Sequence, residues 1–261
     1  MTHSIHPAAQ QGFSSAAELY QQARPDYPIE ISAWLQQHLA LAPQAHLVDL
    51  GSGTGKFLEY IRPLSENITA IEPVHEMLQQ LQKKHPHIAT LAAQSDQIPL
   101  HDHSVAAVFC AQSFHWFATP ETLNEISRIL VPHGDLVLIW NQRDIQVNWV
   151  KQLADVLSEL EGDTPRYHSG QWQKVFEQQQ KFKLIAETTF QQLHHGTVEH
   201  VVSKRLLSTS FIAALSMDEQ QKLKQQFENI VAESTQKTAQ DFIDFPYITH
   251  VYSQILKTIE Q

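Results

Sequence analysis

The sequence predicts an α/β protein built on a parallel sheet, because short apolar runs alternate with amphipathic stretches over its N-terminal half. The runs have the length of ordinary strands and occupy residues 46–50, 68–72, 88–92, 105–111 and 135–140. Most are separated by stretches with helical periodicity, for instance 56–62, 75–84 and 119–130. Strands that alternate with helices form βαβ units, in which the strands run parallel.

The start of the third helical stretch is the clearest boundary. Thr119 can cap it, Pro120 suits the first turn, and Glu121 adds an early negative charge. After Asn141 the rhythm changes. We expect a helix over 149–161 that is broken at 163–165, a strand at 182–190, helices near 197–207 and 218–234, and a last strand at 247–252.

Composition restricts the class of protein. The chain has 261 residues, 42% of them hydrophobic, which suffices for one large α/β domain or a domain with a small cap. A formal charge of −10 with only 18 Lys+Arg argues against a nucleic-acid partner. The single cysteine, Cys110, lies in an apolar run and is expected to be buried. No apolar run exceeds seven residues and the first residues lack a signal layout, so we expect a soluble cytoplasmic protein without a membrane partner.

A glycine turn after the first strand carries most of the functional information. Residues 47–55 read Leu-Val-Asp-Leu-Gly-Ser-Gly-Thr-Gly, and Glu72 closes the second apolar run 21 residues after Gly51. Glycines allow backbone to approach a ligand closely, and an acid at this spacing accepts hydrogen bonds from ribose hydroxyls. A plain strand-to-helix turn would not need the acid, so the pattern predicts a nucleoside-containing cofactor.

Neighbouring residues indicate which kind of nucleoside. Lys56 stands where the pyrophosphate fingerprint G-x-G-x-x-G requires glycine or alanine. A P-loop would need glycine at position 50 and a hydroxyl at 57, where the chain has Leu50 and Phe57. The charge of Asp49 would suit an ammonium or sulfonium and repel a pyrophosphate. The remaining interpretation is a cofactor with a ribose and a zwitterionic tail but no phosphate.

At this point the chain resembles the class I S-adenosylmethionine-dependent methyltransferases of the type 11 small-molecule subgroup. The similar segments follow in family order and comprise Phe13, 20–28, 48–56, 71–78, 98–100, 111–117, 125–130 and 138–144, with looser matches at 170–172 and 208–212. The resemblance implies a Rossmann-like, doubly wound, seven-stranded sheet, mostly parallel with an antiparallel last strand, plus a helical cap. It also implies S-adenosyl-L-methionine as cofactor. The corresponding domains are an N-terminal helical lid segment (1–40), a cofactor-binding Rossmann-like core (41–144), and helical cap insertions with the last two strands (145–261).

The resemblance also implies roles for cofactor-binding residues. The glycines wrap the methionine portion, Glu72 takes the ribose, Met77 packs on the adenine or simply in the core, and the segment after the third strand caps the adenine edge. Arg24 pairs with the cofactor carboxylate or merely ends a helix. Related enzymes often have an aspartate where this chain has Gln94, so the group that reads the adenine amino group stays open. The predicted set is Arg24, Asp49, Gly51, Ser52, Gly53, Gly55, Glu72, Pro73, Met77, Ser95, Asp96, Gln97 and Gln112.

Three residues are candidates for catalysis. His115 and Trp116 follow the fourth strand, at the edge where open α/β sheets bind ligands. His115 is interpreted either as a proton acceptor or as a packing residue. Arg143 leaves the fifth strand at the same edge and suits either a substrate carboxylate or an ion pair with Asp144 or Asp135. The other histidine pairs, at 85/87, 101/103 and 194/195, lack metal-ligand spacing and are expected to be solvated.

The expected function is S-adenosylmethionine-dependent methyl transfer to a small molecule, at a carboxylate or hydroxyl oxygen. A carboxylate is ionised at neutral pH and needs no base, whereas a hydroxyl needs a proton acceptor. The alternatives are O-methylation of a carrier-bound acid and a non-catalytic S-adenosylmethionine-binding protein. No oligomeric state follows from the sequence.

Overall fold

The computed structural model describes residues 23–177 and 179–257, and its strands form one seven-stranded sheet. The strands are β1 (Leu47–Leu50), β2 (Ile68–Ile71), β3 (Ala89–Leu91), β4 (Val105–Ala111), β5 (Leu130–Arg143), β6 (Phe182–Thr197) and β7 (Phe242–Leu256). Their order across the sheet is β3-β2-β1-β4-β5-β7-β6.

The first five strands run parallel. Asp49 in β1 is aligned with Ala70 in β2 on one side and with Phe109 in β4 on the other. The strand order reverses between β1 and β4, and open α/β sheets bind ligands at the carboxyl ends of strands beside such a reversal. The fold therefore predicts that the ligand site includes residues that follow Leu50, Ile71 and Ala111.

The last two strands are antiparallel to each other. The amide of Lys257 donates to the carbonyl of Lys181, and the amide of Val198 donates to the carbonyl of Asp241, so opposite ends of β6 and β7 meet. A mostly parallel, Rossmann-like sheet with antiparallel last strands confirms the predicted fold class.

Helices connect the strands. They are α1 (Glu30–His38), α2 (Leu58–Ile61), α3 (His75–Lys84), α4 (Pro120–Ile129), α5 (Asn148–Ser158), α6 (Lys174–Glu177), α7 (Arg205–Leu207), α8 (Ser210–Ala213) and α9 (Met217–Thr235). A π-helix, Glu199–Lys204, leads directly into α7. Thr119 caps α4 as predicted, because its hydroxyl accepts a hydrogen bond from the amide of Thr122 at 3.2 Å.

The described residues form two compact units. The first unit contains residues 27–140, 165–190 and 249–257, and the second contains residues 23–26, 141–164 and 191–248. In the first unit, alternate residues of β1, β4 and β5 enter two separate hydrophobic clusters, so the sheet is buried on both faces. The second unit has its own core, which includes Trp149, Phe227 and Phe245.

Part of the predicted N-terminal lid segment, including Phe13 and Tyr20, lies outside the described residues. Within residues 23–177 and 179–257, no helix has the length and apolarity needed to cross a membrane.

Candidate active site

The glycine turn follows β1 and is fixed to the end of β2. Gly51, Gly53 and Gly55 have φ angles of +69°, +56° and +80°, in the left-handed region that favours glycine. The amides of Gly51 and Ser52 donate to the carbonyl of Ile71 at 2.8 and 3.1 Å, and the amide of Gly55 donates to the carbonyl of Ser52 at 2.9 Å. The turn is therefore ordered by its own backbone.

Ser113, which the sequence did not single out, fixes the other side of this turn. Its hydroxyl donates to the carbonyl of Leu50 at 2.8 Å, although 63 residues separate the two. A Cβ on Gly51 would lie 2.6 Å from the Cβ of Ser113, so only glycine fits at position 51. A lone serine after a strand gives no pattern from which this contact could be predicted.

Glu72 lies against the glycine turn. Its carboxylate accepts hydrogen bonds from the amides of Gly53 at 2.8 Å and Val74 at 2.9 Å. Burial raises the pKa of Glu72 to about 7, although both amides act in the opposite direction. A carboxylate has about four acceptor positions, so two remain for hydroxyl groups of a ligand.

Asp49 is a buried acid without a compensating partner. Only 1% of it is exposed, and neither carboxylate oxygen has a hydrogen-bond partner in the described chain. Burial, together with the charge of Glu72, raises the pKa of Asp49 to about 8. A buried carboxylate without a partner is costly, and a cationic ligand group would remove that cost. The residues at this turn therefore fit a cofactor that combines a ribose with a positive charge.

Met77 lies opposite the glycine turn. Its side chain is buried, and its sulfur lies 3.7 Å from the position that a Cβ on Gly53 would occupy. Pro73 is partly buried and stands between Glu72 and α3. The structure thus brings Glu72 and Met77 together at the turn.

The predicted adenine-edge residues form a separate tight turn after β3. The amide of Gln97 donates to the carbonyl of Gln94 at 3.3 Å, and the hydroxyl of Ser95 shares a hydrogen bond with Thr122 at 2.9 Å. Asp96 is partly buried and Gln97 is exposed. No hydrogen bond in the described chain joins this turn to the glycine turn, so the role of its residues stays a prediction.

Gln112 follows β4 in an unusual conformation. Its φ of +59° is left-handed although it is not a glycine, and its amide donates to the carbonyl of Ile139 at 2.8 Å. Such conformations cost of order 1–3 kcal/mol and tend to mark functional turns. This one directs the chain into the 3₁₀ turn Phe114–Trp116, which carries both aromatic candidates.

His115 is held by a tryptophan. The indole Nε1–H of Trp140 donates to Nδ1 of His115 at 3.0 Å. Indole is a donor only, so Nδ1 must be unprotonated, and the neutral ring carries its proton on Nε2. Trp140 is fully buried and packs against Trp172, with ring centroids 4.5 Å apart. The neutral ring of His115 therefore carries a hydrogen-bond donor at Nε2, and the ring of Trp116 lies beside it with centroids 5.0 Å apart.

Arg143 and Arg24 belong to the second unit. The Arg143 side chain is partly buried, and its Nε has no acceptor among the described residues. Burial and the neighbouring charge of Arg205 lower the pKa of Arg143 to about 10. Asp144, the expected alternative partner, accepts from the amide of Gln146 at 3.1 Å. Arg24 donates from Nη2 to the carbonyl of Ser208 at 3.3 Å, and its pairing with the cofactor stays a prediction.

One prediction about the histidines is wrong. His85 is 6% exposed and not solvated, because its ring occupies the space left by the absent side chain of Gly55. A Cβ there would lie 2.9 Å from the ring. Desolvation by burial lowers the pKa of His85, and the charge of Lys84 lowers it further. The described parts of the chain hold no group of three or more His, Cys, Asp or Glu residues arranged for a metal ion.

The fold and the glycine turn together define a Rossmann-like methyltransferase, and comparisons with known proteins agree. A family model described as a methyltransferase domain, of type 11, matches residues 48–138. An uncharacterised methyltransferase-like protein of Schizosaccharomyces pombe is 34% identical over 235 residues, which cover 90% of this chain and 91% of that protein.

A further relative supports the assignment, and a solved structure shows the same fold. An uncharacterised methyltransferase of Mycobacterium bovis is 32% identical over 68% of this chain and 76% of its own length. The solved structure of a type II methyltransferase from Anaeromyxobacter dehalogenans has the same fold, with a TM-score of 0.67, 16% identity, and coverage of 91% and 99% of the two chains. The chain belongs to the class I S-adenosylmethionine-dependent methyltransferases of the type 11 family, and its cofactor is S-adenosyl-L-methionine.

Proposed function

We propose that this methyltransferase acts on a small organic acid and transfers the methyl group to a carboxylate oxygen. The observation that carries the proposal is the hydrogen bond from Trp140 to Nδ1 of His115. It bears on which acceptors can react, because acceptors differ in whether a proton must be removed.

The cofactor supplies a methyl group on a sulfonium, so the protein mainly has to orient the acceptor. A hydroxyl acceptor requires a base near the reacting oxygen. Nδ1 of His115 is occupied by the indole donor, and Nε2 carries a proton, so neither nitrogen serves as that base. A carboxylate is already ionised at neutral pH and would accept a hydrogen bond from Nε2–H. His115 then orients the acceptor and does not take a proton from it.

The proposal is tested by incubating the protein with labelled cofactor and a panel of carboxylic acids, phenols and alcohols. Methyl esters are the expected products. At saturating cofactor, the rate with an acid should lack a limb that depends on His115 as a base. Methylation of phenols or alcohols alone would contradict the proposal. Turnover only of an acid attached to a carrier would support the alternative acceptor, and binding without any turnover would support a non-catalytic role.

Two variants of His115 separate an orienting role from a base. Gln retains an N–H donor, so His115→Gln should keep activity within a few-fold of the original enzyme. Phe has no donor, so His115→Phe should lower kcat/KM about 10- to 100-fold, as expected for loss of a hydrogen bond to a charged group. Equal loss in both variants, together with a limb of the pH–rate profile that is present in the original enzyme and absent from both variants, would indicate that His115 is a base.

A further inference from the structure

We propose that Arg143 and Arg205, with the hydroxyls of Thr209, Ser210 and Tyr247, form a binding site for an oxyanionic group in the second unit. All five residues belong to that unit, and the inference goes beyond the proposed function. The group held here is a carboxylate or a phosphoryl group.

The strongest evidence is the burial of Arg205. Only 6% of the residue is exposed, and its Nε and Nη1 atoms have no acceptor in the chain as described. A guanidinium is always charged, and an uncompensated charge away from water is strongly unfavourable. Two buried guanidinium nitrogens without a protein acceptor therefore indicate that a negatively charged ligand completes the environment of Arg205.

Arg143 adds a second positive charge. Its Nε is also enclosed without an acceptor, and it lies close enough to Arg205 for the two charges to repel. Besides burial, this repulsion lowers the pKa of Arg143. The Tyr247 side chain and Glu161 act on Arg143 in the opposite direction. An anion that contacts both guanidinium groups would reduce the repulsion between these two positive charges.

Three buried hydroxyl groups in the same unit also lack hydrogen-bond partners in the described chain. Thr209, Ser210 and Tyr247 are 3%, 1% and 1% exposed, and their side-chain oxygens lack partners within the described residues. Roughly nine in ten buried polar groups in proteins are paired. Finding three unpaired donors in the same unit as two unpaired guanidinium groups is therefore unusual. All three can donate to an oxyanion.

The local backbone brings several of these groups into one segment. Arg205 begins α7, Thr209 precedes α8, and Ser210 begins it. Thr209 is at the N-cap position, yet its hydroxyl does not cap the helix. The guanidinium of Arg24 donates to the carbonyl of Ser208 within the same segment. The segment thus collects positive charge and keeps its hydroxyls available.

The chemistry of the donors defines the ligand. Guanidinium groups bind carboxylates and phosphates through paired hydrogen bonds. The ligand is therefore a compound that carries a carboxylate or a phosphoryl group.

Calorimetry on the cofactor-free enzyme tests the site without turnover. Malonate, inorganic phosphate and acetate are titrated at constant ionic strength into the original protein, Arg205→Met and Arg143→Gln. Either malonate or phosphate should bind the original protein and raise its Tm, and the stronger of the two identifies the group as carboxylate or phosphoryl. Both variants should weaken that binding at least 10-fold. Lys204→Met is the matched control, because it removes the same charge from the adjacent, exposed position and should leave binding unchanged.

Stability without anion supplies an independent readout. If Arg205 is an uncompensated charge, Arg205→Met should not lower the Tm in anion-free buffer. A purely structural arginine would instead give a less stable variant, which would overturn the proposal. Loss of binding in Lys204→Met as well, or no binding of either anion by the original protein, would also overturn it.

Ester formation without anion binding would refute this site and leave the proposed function intact. Anion binding without ester formation on any acid would support this site and contradict the proposed function.

Discussion

At the scale of single residues, the cofactor site is defined by two buried acids. The charged form of Glu72 is stabilised by hydrogen bonds from the amides of Gly53 and Val74, whereas Asp49 has no partner in the described chain. Burial is the main cause of the raised pKa of both residues. In the absence of cofactor, Asp49 is therefore mostly protonated at neutral pH, and a cationic ligand favours its ionised form.

The pKa of Asp49 predicts how stability depends on pH. Its pKa rises from 3.8 to about 8 on folding, so between those values the folded chain holds a proton that the unfolded chain has released. Stability must then fall as pH rises through this window, by at most about 1.4 kcal/mol per pH unit. Asp49→Asn cannot ionise, and its free energy of unfolding should fall less steeply.

Denaturation of the cofactor-free protein by urea from pH 5 to 8.5 measures this effect. Glu72 contributes in the same direction, but only up to its pKa of about 7, so the interval from pH 7 to 8 isolates Asp49. Replacement of the exposed acid in Asp163→Asn is the control. Identical slopes in Asp49→Asn and the original protein would show that Asp49 is ionised in the fold.

Which single residues could be predicted depends on how far apart their contacts lie in sequence. The spacing between Gly51 and Glu72 is local enough to form a recognisable pattern, and the structure places Glu72 on the turn. Ser113 acts on a carbonyl 63 residues away. Arg205 is significant only because two of its buried nitrogens lack a hydrogen-bond acceptor in the described chain. Neither the distant contact of Ser113 nor the missing acceptor of Arg205 produces a recognisable pattern in the local sequence.

At the scale of elements, three glycines differ in why the position favours glycine: lack of space for a side chain, or a backbone conformation that side chains disfavour. A Cβ on Gly51 would lie 2.6 Å from the Cβ of Ser113, which is an overlap. A Cβ on Gly53 would lie 3.7 Å from the sulfur of Met77, an ordinary contact distance, and a Cβ on Gly162 would meet nothing within 4 Å. All three glycines have positive φ. The first position therefore combines strain with overlap, whereas the other two have strain alone.

These differences predict a ranking of alanine variants. Gly51→Ala should destabilise the protein by about 3 kcal/mol or more, since both overpacking and strain oppose it. Gly53→Ala and Gly162→Ala should each cost about 1 kcal/mol. Only Gly53→Ala of the milder pair should also weaken cofactor binding, because its methyl group occupies the approach to the turn. Chemical denaturation and calorimetry measure both effects, and equal stability of all three variants would contradict this account.

The strands whose bounds the sequence predicts well are those buried on both faces. Strands β1 and β4 are buried on both faces, which produces continuous apolar runs. Strands β6 and β7 extend well beyond the predicted 182–190 and 247–252. Along β6, burial alternates with exposure and polar side chains follow Phe190, so no apolar run marks its true end. The helix expected near 197–207 is divided between the π-helix and α7, a change of hydrogen bonding that apolar periodicity does not reveal.

At the scale of the whole molecule, the two groups of functional residues belong to different units. Asp49, Glu72 and Met77 lie in the first unit, whereas Arg143 and Arg205 lie in the second. Each unit has its own hydrophobic core. The cofactor and the proposed oxyanion should therefore order different parts of the chain.

Hydrogen exchange with peptide resolution tests this division. A ligand lowers local opening where it binds, because it stabilises the closed state by mass action. S-adenosylmethionine should slow exchange around residues 50–56 and 72–78, since these carry the glycine turn and the acid that accepts from it. Malonate or phosphate, whichever binds more tightly, should slow exchange around residues 205–212, and Arg205→Met should abolish that protection without altering protection by the cofactor. If the anion protected only the glycine turn, it would be a competitor of the cofactor, and the arginine cluster would have to be explained by structure alone.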